Sequence, residues 1–159
     1  MDIALKDYLD KIGVKYNLYK HPPVFTVAQS EKMPEIKKIK GIGTKNLFLK
    51  DEAGRFYLVV LPGIKRLNIK KLENYLEVKH LQFGSPEELK NELFLSHGSV
   101  SIFGMIKSKN TLLIIDREVW NAEISNFHPN INTETLELKH IDLEGFVKSL
   151  SSLWKIISL

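Results

Sequence analysis

Two apolar segments, residues 45–50 and 55–61, flank the turn-forming sequence Asp51-Glu52-Ala53-Gly54. Runs of aromatic and branched residues favour strands, and a polar turn containing glycine between two such runs predicts a β-hairpin. The rest of the chain carries helical as well as strand-like patterns. A hairpin in such a chain is incompatible with strict alternation of strands and helices, so the sequence indicates a mixed α/β fold.

Helical patterns are found along the whole chain. Leu5, Tyr8, Leu9 and Ile12 recur at helical spacing, and Gly13 follows them as a candidate C-cap. Further helices are predicted after the candidate N-caps Thr26, Asn68 and Ser85, and over residues 143–159, where apolar residues form a helical stripe.

Strand patterns occupy much of the remaining sequence. Further strands are predicted at residues 16–18, 79–83, 111–115, 124–127 and 135–139, whereas residues 41–44 are predicted to form a loop. The chain has 159 residues and no break in composition, so we expect a single domain over residues 1–159. The predicted fold class is mixed α+β.

Composition excludes several classes of protein. The chain has no cysteine, which excludes disulfides, thiolate catalysis and Cys-based zinc sites. Its longest apolar run is far shorter than the ~20 residues that span a bilayer, and its first residues lack the apolar region of a signal peptide. We therefore expect a cytoplasmic protein without a membrane partner.

The net charge of +4 permits contact with a nucleic acid backbone but does not require it. A lysine-rich segment, residues 32–45, holds the densest positive charge, and on composition alone a solvated surface is the favoured interpretation.

No catalytic triad order and no metal-ligand spacing stands out, and none of the five histidines forms an i,i+4 pair. Polar residues at either end of apolar segments are the better candidates for a site. They are Lys45, Asn46, Gly98, Ser99, Ser101 and the run His128-Pro129-Asn130. Each also has a plain structural explanation as a surface lysine, a tight turn or a bend fixed by proline. The residues alone indicate a mixed α/β domain with a possible site for an anionic ligand.

Four segments together resemble the YbaK/ProX family of aminoacyl-tRNA editing domains. They are KHPPVFT (20–26), GTKNLFLKD (43–51), GSVSIFG (98–104) and FHPNINT (127–133), and LQFGSPEEL (81–89) supports them. The order and spacing of these segments match over nearly the whole chain. The Lys45-Asn46 pair and the His128-Pro129-Asn130 run are most similar to the alanine-specific prolyl-tRNA deacylase branch.

The resemblance implies a mixed, partly barrel-like sheet flanked by helices, and hydrolysis of the ester that joins alanine to proline tRNA. Lys45 matches the family's essential lysine, and Asn46 is its neighbour at the site. Gly98 opens a loop of the form Gly-x-x-x-Pro, which here includes Ser99 and Ser101. Ile102 stands at the place of the family proline, and His97 at a position where relatives often have proline. His128 matches a position that lines the site.

The resemblance further implies that no metal or other cofactor takes part, because the substrate's own ribose hydroxyl positions the attacking water. An activated ester needs little more than placed water and stabilised negative charge. The implied partners are the acceptor end of mischarged tRNA(Pro) and, transiently, prolyl-tRNA synthetase. Alternatives that stay open are a deacylase for mischarged seryl-, threonyl- or cysteinyl-tRNA, a non-catalytic tRNA-binding or regulatory module, and a nucleic-acid binder driven by charge.

Overall fold

The computed structural model describes all residues, 1–159. Its strands are β1 (Asn17–Lys20), β2 (Ile42–Lys50), β3 (Phe56–Pro62), β4 (Gln82–Phe83), β5 (Leu112–Asp116), β6 (Ile124–Phe127), β7 (Glu134–Lys139) and β8 (Trp154–Ile157). Its α-helices are α1 (Ile3–Lys11), α2 (Val27–Ser30), α3 (Pro34–Lys37), α4 (Ile69–Leu76), α5 (Pro86–Leu93), α6 (Arg117–Trp120) and α7 (His140–Ser149). A 3-10 helix covers Ile102–Lys107.

The strands form one mixed sheet in the order β1-β7-β6-β2-β3-β5-β8, with β4 added at one edge of β2. β2 and β3 are the antiparallel hairpin predicted from the sequence, with Lys45 opposite Leu61 and Lys50 opposite Phe56. The pairs β2–β6, β3–β5 and β5–β8 are parallel. The predicted mixed sheet flanked by helices is therefore confirmed.

The edge of β2 that faces away from β3 is only partly paired. β6 pairs with Ile42 and Gly43 at its beginning, and β4 pairs with Leu49 and Lys50 at its end. Between these two contacts, residues 44–47 pair with β3 alone. We call this unpaired stretch the open edge of β2, and it leaves room for a cavity beside the strand.

Apolar side chains pack on both faces of the sheet. The larger core cluster includes three fully buried phenylalanines, in which Phe103 makes edge-to-face contacts with Phe127 and Phe146 at centroid distances of 6.1 and 5.0 Å. Leu72 of α4 belongs to a second, smaller cluster together with Leu49 of β2. Burial of large aromatic rings contributes strongly to such cores. β2 contributes side chains to both clusters, so both of its faces are packed.

Helix caps account for the helix starts that local sequence predicted. Thr26 and Ser85 each accept a hydrogen bond from the backbone N–H three residues on, and Gln29 and Glu88 close the reciprocal half of the capping box. Asn68 caps α4 in the same way, through its side-chain oxygen. No helix of the chain combines the length and the apolar character that crossing a bilayer requires.

The prediction of a helix over residues 143–159 is wrong for the second half of that range. Helix α7 ends at Ser149, and Leu150 has extended backbone with ψ 143°. Trp154–Ile157 then forms β8, which pairs in parallel with β5. The buried strand β5 needs partners for its backbone groups on this side, and the final segment supplies them.

Two shorter predictions also differ from the structure. Residues 41–44 are not all loop, because Ile42 and Gly43 already pair with β6 and so begin β2. The strand predicted at residues 79–83 is reduced to Gln82–Phe83, since His80 has a left-handed backbone with φ 57° that interrupts extended structure. The 3-10 helix, α3 and α6 have no counterpart among the predictions.

Candidate active site

A cavity of about 370 Å³ lies against the open edge of β2. Its walls come from β2, from the segment before and within α2, from β4 and the start of α5, and from the loops before the 3-10 helix and after β6. The lining residues that carry polar or aromatic groups include Phe25, Thr26, Ser30, Thr44, Lys45, Asn46, Phe83, His97 and His128. No Asp or Glu lines it. The cavity thus offers positive charge and neutral polar groups without a carboxylate.

Lys45 supplies the positive charge of the cavity. Its side chain is half-buried, and desolvation lowers its pKa from the usual 10.5, with no acidic neighbour opposing that shift. An ammonium group without a carboxylate partner, in a place partly shielded from water, favours binding of an anion. At neutral pH the group remains protonated, because the lowering starts from so high a value.

Asn46 offers the cavity an acceptor that the protein leaves free. Its side-chain Oδ1 is buried and has no hydrogen-bond partner within the chain. The backbone groups of Asn46 also point to the open edge, because alternate residues of a strand direct their N–H and C=O groups to the same side. Phe48, two residues on, uses its carbonyl on that side to accept a hydrogen bond from Gly84 N–H at 2.9 Å. A buried acceptor without a partner is costly, and a ligand donor would satisfy it.

His128 enters the cavity as a neutral group with one nitrogen free. Its Nδ1 lies 2.8 Å from the carbonyl of Glu134, and since a carbonyl can only accept, Nδ1 carries the proton. Burial lowers the pKa of His128 below 6.5, with a smaller contribution from neighbouring His21. Nε2 therefore presents a lone pair and can accept a hydrogen bond from water or a hydroxyl group.

His21 is the neighbour of His128, and two hydrogen bonds fix its own ring. Its Nδ1 donates to the carbonyl of Pro22 at 2.8 Å, and its Nε2 accepts from the Thr135 hydroxyl at 2.9 Å. Its ring lies edge-on to that of His128 at a centroid distance of 5.7 Å. Both nitrogens of His21 are used, so it serves to position the ring of His128.

The loop before the 3-10 helix contributes Gly98 to the cavity. Ser99 N–H donates to the carbonyl of Ser96 at 3.1 Å, and Gly98 within this turn has φ 90°. Residues other than glycine rarely adopt that conformation, and no heavy atom lies within 4 Å of where a Cβ would be. The turn therefore leaves open space beside the backbone, in which a ligand can approach closely.

The other three candidates from this loop do not line the cavity. Ser99 lies on the opposite side of the loop, at a separate groove next to α1. Ser101 and Ile102 are both 0 % exposed, and Ile102 belongs to the main core. Ser101 acts through another residue: its hydroxyl donates to the carbonyl of His128 at 2.5 Å and accepts from the N–H of Phe103.

The structure brings together Lys45, Asn46, Gly98 and His128 from separate parts of the chain, and it adds residues that sequence reasoning did not select. Phe25 and Phe83 are the most prominent additions. Both lie in segments on which the family resemblance was based, 20–26 and 81–89, so the signal was present in the sequence. Their position at the cavity depends on strand pairing and could not be inferred locally.

The lysine-rich segment lies beside the cavity. Lys32, Lys37, Lys38 and Lys40 are exposed, on or next to α3, and none takes part in a salt bridge. α2, which precedes them directly, contributes Val27 and Ser30 to the cavity wall. Positive charge therefore continues from Lys45 onto the adjacent surface.

Comparisons with known proteins agree on one family. The model of the aminoacyl-tRNA editing domain matches residues 21–146. The prolyl-tRNA editing protein ProX of Acetoanaerobium sticklandii is 34% identical over 154 residues, which cover 95% of this chain and 93% of that protein. The prolyl-tRNA synthetase associated domain-containing protein 1 of Danio rerio is 28% identical over 148 residues, with 91% and 79% covered.

Solved structures show the same fold. The crystal structure of a hypothetical protein superimposes with a TM-score of 0.74 at 22% identity, covering 94% of this chain and 95% of that one. A candidate trans-editing enzyme for prolyl-tRNA synthetase superimposes with a TM-score of 0.71 at 15% identity, with 98% and 97% covered.

Proposed function

The chain belongs to the aminoacyl-tRNA editing domain family, and we propose that it is a trans-editing deacylase that hydrolyses Ala-tRNA(Pro) to alanine and tRNA(Pro). The observation that carries the proposal is the half-buried ammonium of Lys45 in a cavity without carboxylates. A relative with 34% identity over nearly its full length is named as a prolyl-tRNA editing protein, which supports proline tRNA as the carrier.

The substrate is an activated ester, so the protein needs to place water and to stabilise negative charge rather than to supply a strong nucleophile. Water adds to the ester carbonyl carbon, the bond to the ribose oxygen breaks, and the proton released from water ends on that oxygen. The ammonium group of Lys45 is assigned to bind the terminal phosphate or to stabilise the oxyanion that develops on the carbonyl. The ribose hydroxyl next to the ester is assigned to orient the water.

The neutral polar groups have complementary roles in this proposal. The unpartnered Oδ1 of Asn46 accepts a hydrogen bond from the amino group or the ribose hydroxyl of the substrate. The free Nε2 of His128 accepts one from the attacking water or from the same hydroxyl. Gly98 lets the aminoacyl end approach the backbone, because no side chain fills that space. Ser101 and Ile102 retain only an indirect part, in shaping the loop, and the side chain of Ser99 is assigned no part.

Specificity for alanine is part of the proposal. An editing enzyme must spare proline, the larger cognate residue, and exclusion of a larger side chain by steric contact is more effective than rejection of a smaller one. The acceptor end of mischarged tRNA(Pro) is the proposed partner, with transient contact to prolyl-tRNA synthetase. The proposal includes a cytoplasmic location, as predicted from the sequence.

Single-turnover deacylation of Ala-tRNA(Pro) beside Pro-tRNA(Pro) tests the function directly. We expect release of alanine at a rate far above that of proline. Comparable rates on both would contradict an editing role. Mischarged seryl-, threonyl- and cysteinyl-tRNA belong in the same assay, since preference for one of them would assign a related deacylase. Binding of tRNA without hydrolysis of any ester would assign a non-catalytic module.

A further inference from the structure

Two large aromatic rings stand exposed at the mouth of the cavity. Phe25 is 70 % exposed and Phe83 is 65 % exposed, and both line the cavity. Single exposed apolar residues are common on protein surfaces, but two phenylalanines at the opening of one cavity form a local apolar feature. Neither ring has a part in the hydrolysis proposed above.

The backbone at Phe25 is fixed although its ring is free. Its N–H donates to Gln29 Oε1 at 2.9 Å, within the capping box that starts α2. A large apolar residue directly before an N-cap often packs against the fourth residue of the helix. That residue here is Ser30, which offers no apolar surface. The ring of Phe25 is thus presented to solvent by a rigid backbone without an internal partner.

Phe83 is held in the same manner by strand pairing. It lies opposite Leu49 of β2, and the next residue, Gly84, donates its N–H to the carbonyl of Phe48 at 2.9 Å. Cross-strand partners have their side chains on the same face, and so do alternate residues of one strand. Phe83 and Lys45 therefore lie on the same face of the sheet.

The two rings come from elements at opposite ends of β2. α2, which follows Phe25, lies at the beginning of the strand: a Cβ on Gly63 would lie 3.6 Å from Val27, and Gly63 donates its N–H to the carbonyl of Gly43. β4, which carries Phe83, pairs with the end of the strand. Lys45 lies between them along the strand. The arrangement is one cation flanked by two aromatic surfaces, with no carboxylate in the cavity lining.

We propose that Phe25 and Phe83 are stacking platforms for the unpaired bases at the 3′ end of the tRNA acceptor strand. The inference rests on the proposed function and adds positioning residues to it. A nucleotide combines a flat π-face with a phosphate, which matches an aromatic ring beside an ammonium group. Every base has such a face, so these contacts hold the end of the strand in place without selecting its sequence.

A fluorescent RNA tests the stacking independently of hydrolysis. The probe is an uncharged RNA hairpin whose single-stranded 3′ end is CC followed by 2-aminopurine, a base whose fluorescence falls when it stacks. We expect the wild-type protein to quench the probe and to bind it more tightly than a blunt hairpin or AMP alone. By the usual strength of base–aromatic contacts, Phe25→Ala and Phe83→Ala should each weaken binding about ten-fold.

Three further variants separate stacking from other effects. Phe25→Trp and Phe83→Trp should retain quenching, whereas Phe83→Leu, which keeps apolar area but lacks a π-face, should lose it. Tyr75→Ala is the matched control, because Tyr75 is 58 % exposed on α4 and does not line the cavity. Thermal melting of each variant verifies that it is folded.

The outcomes distinguish this inference from the proposed function. Unchanged quenching by folded Phe25→Ala and Phe83→Ala overturns the stacking role, whatever the enzyme does. A wild-type protein that deacylates Ala-tRNA(Pro) but leaves the probe unquenched overturns it as well. Equal binding of AMP and of the overhang would assign a free nucleotide site in its place. In deacylation, removal of stacking should raise the substrate concentration needed for half-maximal rate more than it lowers the maximal rate.

Discussion

The hydroxyl group of Ser101 donates a hydrogen bond to the backbone carbonyl of His128 at 2.5 Å and so ties the start of the 3-10 helix to the loop that carries the cavity histidine. Ser101→Ala leaves that carbonyl with one donor fewer and removes the cap of the 3-10 helix. Removal of such a buried bond typically costs about 1–3 kcal/mol of unfolding free energy. We expect urea unfolding to show this decrease in the unfolding free energy. Deacylation should also be slower, because His128 is less well positioned.

Ser99→Ala is the control for this variant, since the hydroxyl of Ser99 makes no hydrogen bond and does not line the cavity. It should leave both stability and the rate of deacylation near wild-type values. Equal behaviour of the two alanine variants would contradict a positioning role for Ser101.

Lys45→Ala should abolish measurable deacylation while the protein stays folded. The side chain is half-buried but has no acidic partner to lose, so the unfolding free energy should change by no more than about 1 kcal/mol. Single-turnover kinetics together with thermal melting measure the two effects. Lys155→Ala removes an exposed lysine of β8, far from the cavity lining, and should retain full activity. A folded Lys45→Ala protein with near wild-type turnover would refute the assignment.

The pKa of His128 predicts a decrease in stability at acidic pH. Burial lowers this pKa below 6.5, so the unfolded chain binds more protons than the folded one between the folded-state pKa and 6.5. The unfolding free energy should therefore fall as pH decreases from 6.5 to the folded-state pKa, and the contribution should then level off. Urea unfolding at a series of pH values from about 7.5 to about 4.5 measures this change, since that range brackets the ordinary histidine pKa.

His128→Asn is the comparison for that series. The difference in unfolding free energy between the variant and the wild type should shrink as pH falls through this window, because the variant has no proton to bind there. Deacylation by the wild type should decline over the same range, since protonation removes the free lone pair of Nε2. A difference between the two proteins that is constant with pH would contradict the proposed neutral state.

Local signals account for the parts of the fold that the sequence predicted correctly. The hairpin of β2 and β3 needs only two apolar runs and a turn, and the capping boxes at Thr26 and Ser85 lie within four residues. Distant pairing explains the failures. Ile42 belongs to a strand because Ser125 lies opposite, far away along the chain, and residues 154–157 form β8 because β5 needs an edge partner.

The residues of the candidate site also fall into two groups, those that local sequence indicates and those whose position depends on the fold. Lys45, Asn46 and His128 could be selected because each lies at one end of an apolar segment in a region of family resemblance, and the structure places all three at one cavity. Ile102 shows where that reasoning stops. Its burial follows from the 3-10 helix that begins at this residue, capped by Ser101, and a 3-10 turn leaves too little periodicity to be recognised in sequence.

A comparison of three glycines should separate backbone strain from steric overlap. Gly41 has φ 88°, and a Cβ there would lie 2.4 Å from the carbonyl oxygen of Ile124. Gly54 has φ 80° with open space, and Gly43 has open space without a positive φ. Gly54→Ala should cost about 1–2 kcal/mol through strain, and Gly41→Ala about 1–3 kcal/mol more through overlap. Gly43→Ala should change unfolding free energy least, and any other ranking by urea unfolding would contradict this account.

The exposed lysines next to α3 should contribute to tRNA binding through their charge. Removal of each lysine that neutralises a phosphate should flatten the dependence of log K on log salt by about one unit. Filter binding of tRNA at several salt concentrations measures this slope for the variant Lys32→Ala, Lys37→Ala, Lys38→Ala and Lys40→Ala combined.

A charge-matched control replaces four exposed lysines that do not line the cavity: Lys15, Lys71, Lys109 and Lys155. It lowers the net charge equally but should retain most of the slope. If both quadruple variants behave alike, or if the slope is unchanged, the segment is an ordinary solvated surface.

The position of β2 and its open edge also affects how the protein unfolds. β2 is the strand through which β6 and β3 are joined, and it carries Lys45 and Asn46 at that junction. A state in which β2 detaches from either neighbour loses the cavity wall that β2 supplies, so such a state should not bind substrate. Occupancy of the site should therefore protect amides from hydrogen exchange in strands as distant as β1 and β8, and not only in the segments that contact the ligand.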